Sequence, residues 1–295
     1  MKRIDSIFDR GRAVFSLEVF PPKKDGPIEK IYATIKELRE LGPDFISVTY
    51  GAGGNPADTS TLDIASFIHE ELSVPAVAHL TCISSTRSDV RQYLTQLRER
   101  GVYNILALRG DVSPDRPRQW DFPHAVDLIR FLREQGDFHL SAACYPEGHV
   151  EAVSPAEDLR WLLKKTEAGA GHLITQLFFD NAIFFDFVRR ARAAGITARI
   201  EAGVMPVVNA RQIQRIVSLC GASMPPALTK IMSRWEHDPG ALRRAGIGYA
   251  AAQIADLLHR GAEGIHLYTM NDAAAAREIA ALLPNRPPLG PAGPQ

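Results

Sequence analysis

The chain has 295 residues, 45% of them hydrophobic, with 34 Lys plus Arg against 34 Asp plus Glu and a formal net charge of zero. A balanced charge gives no general field to hold nucleic acid or an acidic membrane surface, so a small molecule is the expected partner. Cys82, Cys144 and Cys220 fit neither a disulfide framework nor a metal knuckle, and no stretch has the length of a membrane span or the apolar core of an export signal, so a cytoplasmic protein is expected.

The first predicted strand, 14–20, closes on Pro21-Pro22. Alternation puts Phe15, Leu17 and Val19 on one face and Ser16, Glu18 and Phe20 on the other. Glu18 is therefore an acid in a strand that otherwise reads as buried. It is either a solvated or ion-paired edge residue or a carboxyl whose burial raises its pKa toward the range useful for proton donation. A helix at 29–41 places Ile31, Ile35, Leu38 and Leu41 at helical spacing before Gly42-Pro43. The strand 44–50 runs into Gly51-Ala52-Gly53-Gly54, which lacks the spacing of a nucleotide loop and reads as a flexible connection. Strand 76–82 precedes a helix carrying Val90, Leu94 and Leu97 that stops at Gly101. Strands at 103–109, 138–144, 173–179, 198–204 and 264–268 then alternate with helices at 123–135, 155–168, 183–194, 210–219 and 242–260. Met224-Pro225-Pro226-Ala227 is expected as an extra short helix or loop at the mouth. Eight strands alternating with helices imply an α/β chain folded as one (β/α)8 TIM barrel over 1–285, with an open doubly wound sheet as the competitor. The segment 286–295 is too rich in Pro and Gly to pack and reads as a disordered tail.

In such a barrel the C-terminal strand ends form the active face. Here they offer Glu18, Thr49-Tyr50, His79 with Thr81, Arg109-Gly110-Asp111, Tyr145-Pro146-Glu147 with His149, Thr175-Gln176, Met205-Pro206 and Tyr268. Each alone suits a loop-capping role, but together they ring one mouth. In the helix after Tyr145, Asp158, Leu162 and Lys165 share a face, so an acid and a cation lie two turns apart. That pair suits a ribose hydroxyl and a pyrophosphate, or else a solvated outer face. His79, His149, Glu147 and Asp111 are conceivable metal ligands without a metal-binding spacing, so no metal is expected. Arg211-Gln212-Ile213-Gln214-Arg215 is too short and too poor in aromatics for a nucleic-acid surface.

Several blocks in order carry a resemblance: Leu17-Glu18-Val19-Phe20-Pro21-Pro22, Ser47-Val48-Thr49-Tyr50-Gly51-Ala52, Ala78-His79-Leu80-Thr81-Cys82, Ala107-Leu108-Arg109-Gly110-Asp111 and Tyr145-Pro146-Glu147-Gly148-His149. Ile174-Thr175-Gln176-Leu177-Phe178-Phe179-Asp180, Gly203-Val204-Met205-Pro206-Val207 and His266-Leu267-Tyr268-Thr269 complete the set. Over 12–284 the chain resembles the short bacterial type of methylenetetrahydrofolate reductase. The resemblance implies a flavin-dependent barrel that uses FAD and a reduced nicotinamide, NADH or NADPH, to convert 5,10-methylenetetrahydrofolate to 5-methyltetrahydrofolate. It implies that Glu18 is the general acid that protonates the folate N10, opening the ring to an iminium that takes hydride from flavin N5. Asp111 then lies by the flavin N1 and C2 carbonyl and also contacts the pterin. Gln176, Gln212 and Tyr268 fall at substrate positions. Thr49, Tyr50, His79, Arg109, Gly110, Asp111, Tyr145, His149, Asp158 and Lys165 fall at FAD positions. A ping-pong sequence, a role in methionine synthesis and a homo-oligomer are implied as well.

The chain departs from that pattern at Ile216, where an aromatic ring packs on nicotinamide or folate, and at Asp272, where an Arg follows the last strand. Trp161 and Lys164 replace Asn and Arg on the FAD helix, and His124 replaces a Tyr. Two rival readings are a flavin barrel of the proline dehydrogenase kind and a folate- or flavin-binding scaffold without turnover.

Overall fold

The computed structural model describes residues 3–22, 26–50, 59–112 and 117–283. Eight parallel strands follow one another in chain order and close on themselves: β1 (Val14–Val19), β2 (Phe45–Val48), β3 (Ala76–Thr81), β4 (Asn104–Leu108), β5 (His139–Cys144), β6 (His172–Thr175), β7 (Arg199–Val204) and β8 (Gly264–Tyr268). Closure is set by β1 pairing with β8, Ser16 opposite His266 and Glu18 opposite Tyr268. The helices between them are α1 (Ile28–Arg39), α2 (Ser60–Glu70), α3 (Arg87–Glu99), α4 (Ala125–Glu134), α5 (Pro155–Glu167), α6 (Asn181–Ala193), α7 (Ala210–Cys220), α8 (Pro226–Arg234) and α9 (Pro239–His259), with α10 (Ala273–Leu282) after β8. The chain is thus a (β/α)8 barrel, and no described helix is long and apolar enough to cross a membrane.

The helices begin where the side chains can take up free backbone N–H groups. Thr86 and Asp89 form a reciprocal capping box at α3, and Ser154 caps α5 ahead of Pro155. One buried stripe per helix, such as Ile31, Ile35 and Leu38 on α1, packs against the outer face of the sheet, where Leu17, Val19, Ile46 and Val48 lie. A smaller apolar cluster fills the lower lumen. There Ile4, Ile7 and Phe8, from a 3-10 turn before β1, pack against Val14, Phe45, Val77, Leu106 and Ile174 and stopper the N-terminal end. The stopper is pinned by the Ile4 N–H, which donates to Asn104 Oδ1 at 3.1 Å. Buried Asp44 accepts from the Phe15 N–H at 3.0 Å and from Arg12 at 2.8 Å, tying β1 to the turn before β2.

Two helices go beyond those the spacing predicts. Apolar contrast is weak in α10, whose buried face is built mainly of Ala273, Ala275 and Ala276 around Ile279, and α2 buries Thr61 beside its aliphatic residues. The expected short helix near Met224 extends over nine residues as α8. The sixth strand stops at Thr175 instead of 179. The apolar run continues because Leu177 and Phe179 pack under α7 and α8, in a cluster with Met205, Val207, Ile213 and Leu228. Burial by a helical cover and burial in a sheet look alike in sequence. The Gly51-to-Gly54 connection and the tail 286–295 lie outside the described residues.

Gly203 lets β7 approach its neighbours at the mouth. A Cβ there would stand 2.3 Å from the Thr175 carbonyl oxygen and 2.7 Å from the Tyr268 ring. Because backbone cannot yield as a flexible side chain does, Gly203→Ala is expected to destabilise the fold by about 1–3 kcal/mol through overpacking. A thermal unfolding midpoint equal to that of the unmodified chain would show that the barrel opens at no cost.

Candidate active site

Glu18 sits on the last turn-inward position of β1 with its side chain 18% exposed, facing the open C-terminal end. Its Oε2 lies 3.5 Å from His266 Nε2 and 3.6 Å from His79 Nε2. Burial first, offset by the Glu18 charge, brings His79 down to about 4, so this imidazole is neutral near pH 7. The end of β1 is held rigidly. Thr269 Oγ1 donates to the Glu18 carbonyl at 2.6 Å, and the Asn271 amide meets Phe20 twice, accepting its N–H at 3.1 Å and donating to its carbonyl at 2.9 Å. Met270 and Asn271 both adopt positive φ, a turn that brings the Asn271 side chain back onto β1. The general-acid candidate is therefore fixed by the neighbour that closes the barrel.

On the β4, β5 and α5 side of the barrel lies a cleft of about 310 Å³ whose lining includes Arg109, Tyr145, His149, Asp158, Trp161 and Lys165. Lys165 donates to the Ala143 carbonyl at 3.0 Å, and burial lowers its pKa despite the opposing charge of Asp158. Burial raises the Asp158 carboxyl, against Lys165 and a backbone hydrogen bond at His149. Arg109 donates to Glu151 Oε1 at 2.8 Å and from its Nε to the Gly110 carbonyl at 3.1 Å. His149 Nδ1 accepts the Glu151 N–H at 3.1 Å, so the neutral ring carries its proton on Nε2, and burial followed by Arg109 lowers its pKa. The His149 ring also stands edge-on to Tyr145, with centroids 4.7 Å apart, and burial raises the Tyr145 phenol. His124 stacks on Trp161 at 4.5 Å, and exposed Lys164 sits over the same indole at 4.2 Å. Two cations, Arg109 and Lys165, three carboxyls, Glu151, Glu157 and Asp158, and the His124–Trp161 pair line one cleft, and together they can hold a phosphorylated, ring-bearing ligand.

The structure thus gathers five residues of the expected cofactor set, Arg109, Tyr145, His149, Asp158 and Lys165, on one wall. Thr49 and Tyr50 lie apart from that wall. The Thr49 N–H donates to the Val19 carbonyl at 3.0 Å, and Tyr50 meets Tyr93 edge-on at 5.5 Å. His79 belongs with Glu18, buried beneath it. Asp111 follows the left-handed Gly110 and is exposed on the rim. Gln176 caps the end of β6, its Oε1 accepting the Leu177 N–H at 2.9 Å. The Tyr268 hydroxyl donates to the Thr175 carbonyl at 2.6 Å, and burial raises its pKa well above that of a free phenol. Gln212 is exposed near the start of α7, and Ile216, one turn on, packs with the apolar cover. Asp272 caps α10 through the Ala275 N–H at 2.8 Å and lies 3.5 Å from Arg243.

Sequence reasoning missed four groups behind Glu18. His266 Nδ1 lies 2.6 Å from Ser16 Oγ, Ser16 Oγ donates to Glu201 Oε1 at 3.0 Å, and Glu201 Oε2 lies 3.0 Å from His172 Nε2. Their signal is faint: Ser16 and His266 stand two positions before Glu18 and Tyr268 in their strands, and Glu201 lies inside β7. Among the described residues no group of three or more His, Cys, Asp or Glu side chains is placed to hold a metal ion.

A family model described as methylenetetrahydrofolate reductase matches residues 3–284. The 5,10-methylenetetrahydrofolate reductase of Pectobacterium carotovorum subsp. carotovorum is 36% identical, over 94% of this chain and 92% of its own. Methylenetetrahydrofolate reductase (NADH) 1 of Arabidopsis thaliana is 34% identical over 91% of this chain but only 48% of its own, so the chain spans about half the length of that relative. Among solved structures, an uncharacterized Clostridium thermocellum protein that binds two copies of 5-methyl-5,6,7,8-tetrahydrofolic acid shares the fold, with a TM-score of 0.62 and 13% identity over 94% of this chain and 96% of that one. Matched along almost its whole described length, and across nearly all of its bacterial relative, the chain belongs to the methylenetetrahydrofolate reductase family.

Proposed function

We propose that the chain reduces 5,10-methylenetetrahydrofolate to 5-methyltetrahydrofolate with NADH or NADPH, holds FAD in the cleft, and uses Glu18 as general acid. The observation that carries this reading is the Glu18 carboxyl at the C-terminal end of β1, its backbone carbonyl held by Thr269, at the barrel mouth that also carries the cleft gathering Arg109, Asp158 and Lys165. The donor set fits FAD. Lys165 and Arg109 are the cations for a pyrophosphate, Asp158 is the acceptor for ribose hydroxyls, and the His124–Trp161 pair offers a ring face for an adenine. Thr49, Tyr50 and Gly110 complete that set by family resemblance.

Bound FAD supplies a carrier of hydride between nicotinamide and folate, which lets the two substrates use the site in turn. The chain's own work is to bind, orient and protonate. Glu18 delivers a proton to the folate N10, so that the five-membered ring opens to an electrophilic iminium. With its Oε1 already engaged, Gln176 presents its amide N–H groups to the pterin. Tyr268, its hydroxyl held by Thr175, presents a fixed ring beside Glu18. Asp111 on the rim and Gln212 on α7 approach the ligands from outside. His79, neutral beneath Glu18, leaves the acid's proton uncontested by a second charge.

Purified protein is expected to be yellow, to bleach anaerobically with NADH or NADPH, and to recolour with methylenetetrahydrofolate. A colourless protein that FAD cannot reconstitute would overturn the reading, and bleaching by proline alone would favour an amino-acid oxidising barrel. Glu18→Gln should leave bleaching by the nicotinamide intact and slow recolouring by about 10²–10⁴, the usual worth of a general acid. Equal losses in both half-reactions would instead make Glu18 a structural residue. Lys165→Met should weaken FAD binding by roughly tenfold or more, since a hydrogen bond to a charged group contributes about 1.5–3 kcal/mol. Titration of the apoprotein with FAD measures this, and an unchanged Kd would place the pyrophosphate elsewhere.

A further inference from the structure

The buried groups behind Glu18 form one continuous line. It runs from Glu201 on β7 through Ser16 on β1 to His266 on β8 and so to Glu18, with contacts of 3.0, 2.6 and 3.5 Å. Glu201, Ser16 and His266 have no solvent exposure and line no part of the cofactor cleft. The line is also built to fit. A Cβ on Gly264 would stand 2.7 Å from Glu201 Cγ and 2.9 Å from its Oε1, so glycine leaves the space the carboxyl occupies. We propose that Glu201 stores the proton that Glu18 delivers, with Ser16 and His266 carrying it between the two carboxyls. This rests on Glu18 being the general acid.

The transfer balances. With the proton on Glu201 Oε1, that oxygen donates to Ser16 Oγ, Ser16 donates to His266 Nδ1, and His266 Nε2–H faces the Glu18 carboxylate. Moving each proton one place breaks the O–H bonds at Glu201 and Ser16 and the N–H bond at Nε2. It forms an O–H bond at Ser16, an N–H bond at Nδ1 and an O–H bond at Glu18. Proton count and net charge are unchanged. Glu201 is left as a carboxylate that accepts from Ser16 and faces His172 Nε2 at 3.0 Å, and His172 Nδ1 lies 2.9 Å from the Ser141 hydroxyl. After Glu18 has protonated N10, one proton enters from water at the exposed face of Glu18 once product has left, and returns by the same route. A folate lying over Glu18 would cover that face during the reaction, so the proton used must already be inside.

The surroundings favour storage. Burial, reinforced by the charge of Asp44 and opposed by His266 and the Ser16 hydrogen bond, raises Glu201 to about 7. The groups facing it are Ser16 of β1, His266 of β8 and His172 of β6, with Asp44 acting from below. Burial brings His172 down to about 3, so this imidazole is neutral and does not draw the proton from Glu201. An acid with a raised pKa is protonated below that value, so Glu201 is charged with its proton below about pH 7 and empties above it.

The test uses the full FAD-loaded chain and two variants. Infrared difference spectra should show a buried carboxylic C=O band that disappears as pH rises through about 7, is absent in Glu201→Gln and remains in Ser16→Ala. In stopped flow, both variants should slow reoxidation by methylenetetrahydrofolate on the order of tenfold, less than loss of the general acid itself costs, and both should lose the decline of that rate above neutrality. Reduction by NADH needs no proton donor and serves as the control. Ser16→Ala with the unmodified rate and pH profile would overturn the proposal, as would the absence of a band that Glu201→Gln removes. If the unmodified chain does not reoxidise with folate at all, it is the reading of Glu18 that falls, while the infrared band still reports on Glu201.

Discussion

Glu201 is a carboxyl without solvent exposure in the middle of a barrel, and the upper lumen is arranged around that fact. An unpaired charge there would cost several kcal/mol, so the group must be neutral or matched by donors within the lumen. The barrel provides both options. Ser16 donates to the carboxyl and His172 Nε2 stands 3.0 Å from it, and a raised pKa allows the neutral acid. Because His172, Ser16 and His266 come from three different strands, this requirement fixes how β6, β1 and β8 stand relative to β7. The apolar stopper of Ile4, Ile7 and Phe8 closes the far end and keeps water from relieving the constraint.

The same closure orients the reactive end. Glu18 faces Tyr268 across the β1–β8 register, and the turn after β8 reaches back through Thr269 and Asn271 to hold the backbone at Glu18 and Phe20. The cleft is built on other elements, β4, β5 and α5, and Tyr145 and Cys144 at the end of β5 reach Tyr268 of the β1–β8 seam through their charge. On the proposed function, proton delivery and cofactor binding rest on different elements of one mouth. Damage to one side can leave the other standing, which is why the two half-reactions separate the roles of their residues.

Much of this was legible in the sequence because two signals survive without a partner strand. The eight apolar runs, broken by helices of regular spacing, already described a closed barrel, and Glu18 stood out as an acid in the first of them. Asp158 and Lys165 were legible for a similar reason, since seven residues in a helix put both on one face whatever lies opposite. Glu201, Ser16 and His266 were not. Their meaning lies in a meeting across 185 and 250 positions of chain, and a Ser or His inside a strand has many ordinary uses. The sixth strand was drawn too long because Leu177 and Phe179 are buried by a helical cover that only the fold reveals. In α10 the alanine-rich face carried too little contrast to show a period.

The departures from the family pattern take on physical roles once placed. Asp272, standing where a cation is usual, caps α10 and approaches Arg243, so the first turn after β8 is stabilised by the residue that gives up the charge. That turn carries Asn271, which holds the end of β1, so the exchange exerts its effect on how firmly Glu18 is placed as well as on what the rim presents to ligand. His124 and Trp161 are two changes that meet in one stack, covered by Lys164. Aromatic pairs of this kind contribute about 0.5–1.5 kcal/mol beyond their buried area, enough to preform a ring-binding face on the cleft wall before any ligand arrives. Ile216 gives up a ring but remains part of the apolar cover between α7 and the barrel, so shape is kept on that side while stacking is not. The aromatic pair thus stands on the cleft wall, whereas Ile216 packs in the apolar cover with Tyr268 and Met270.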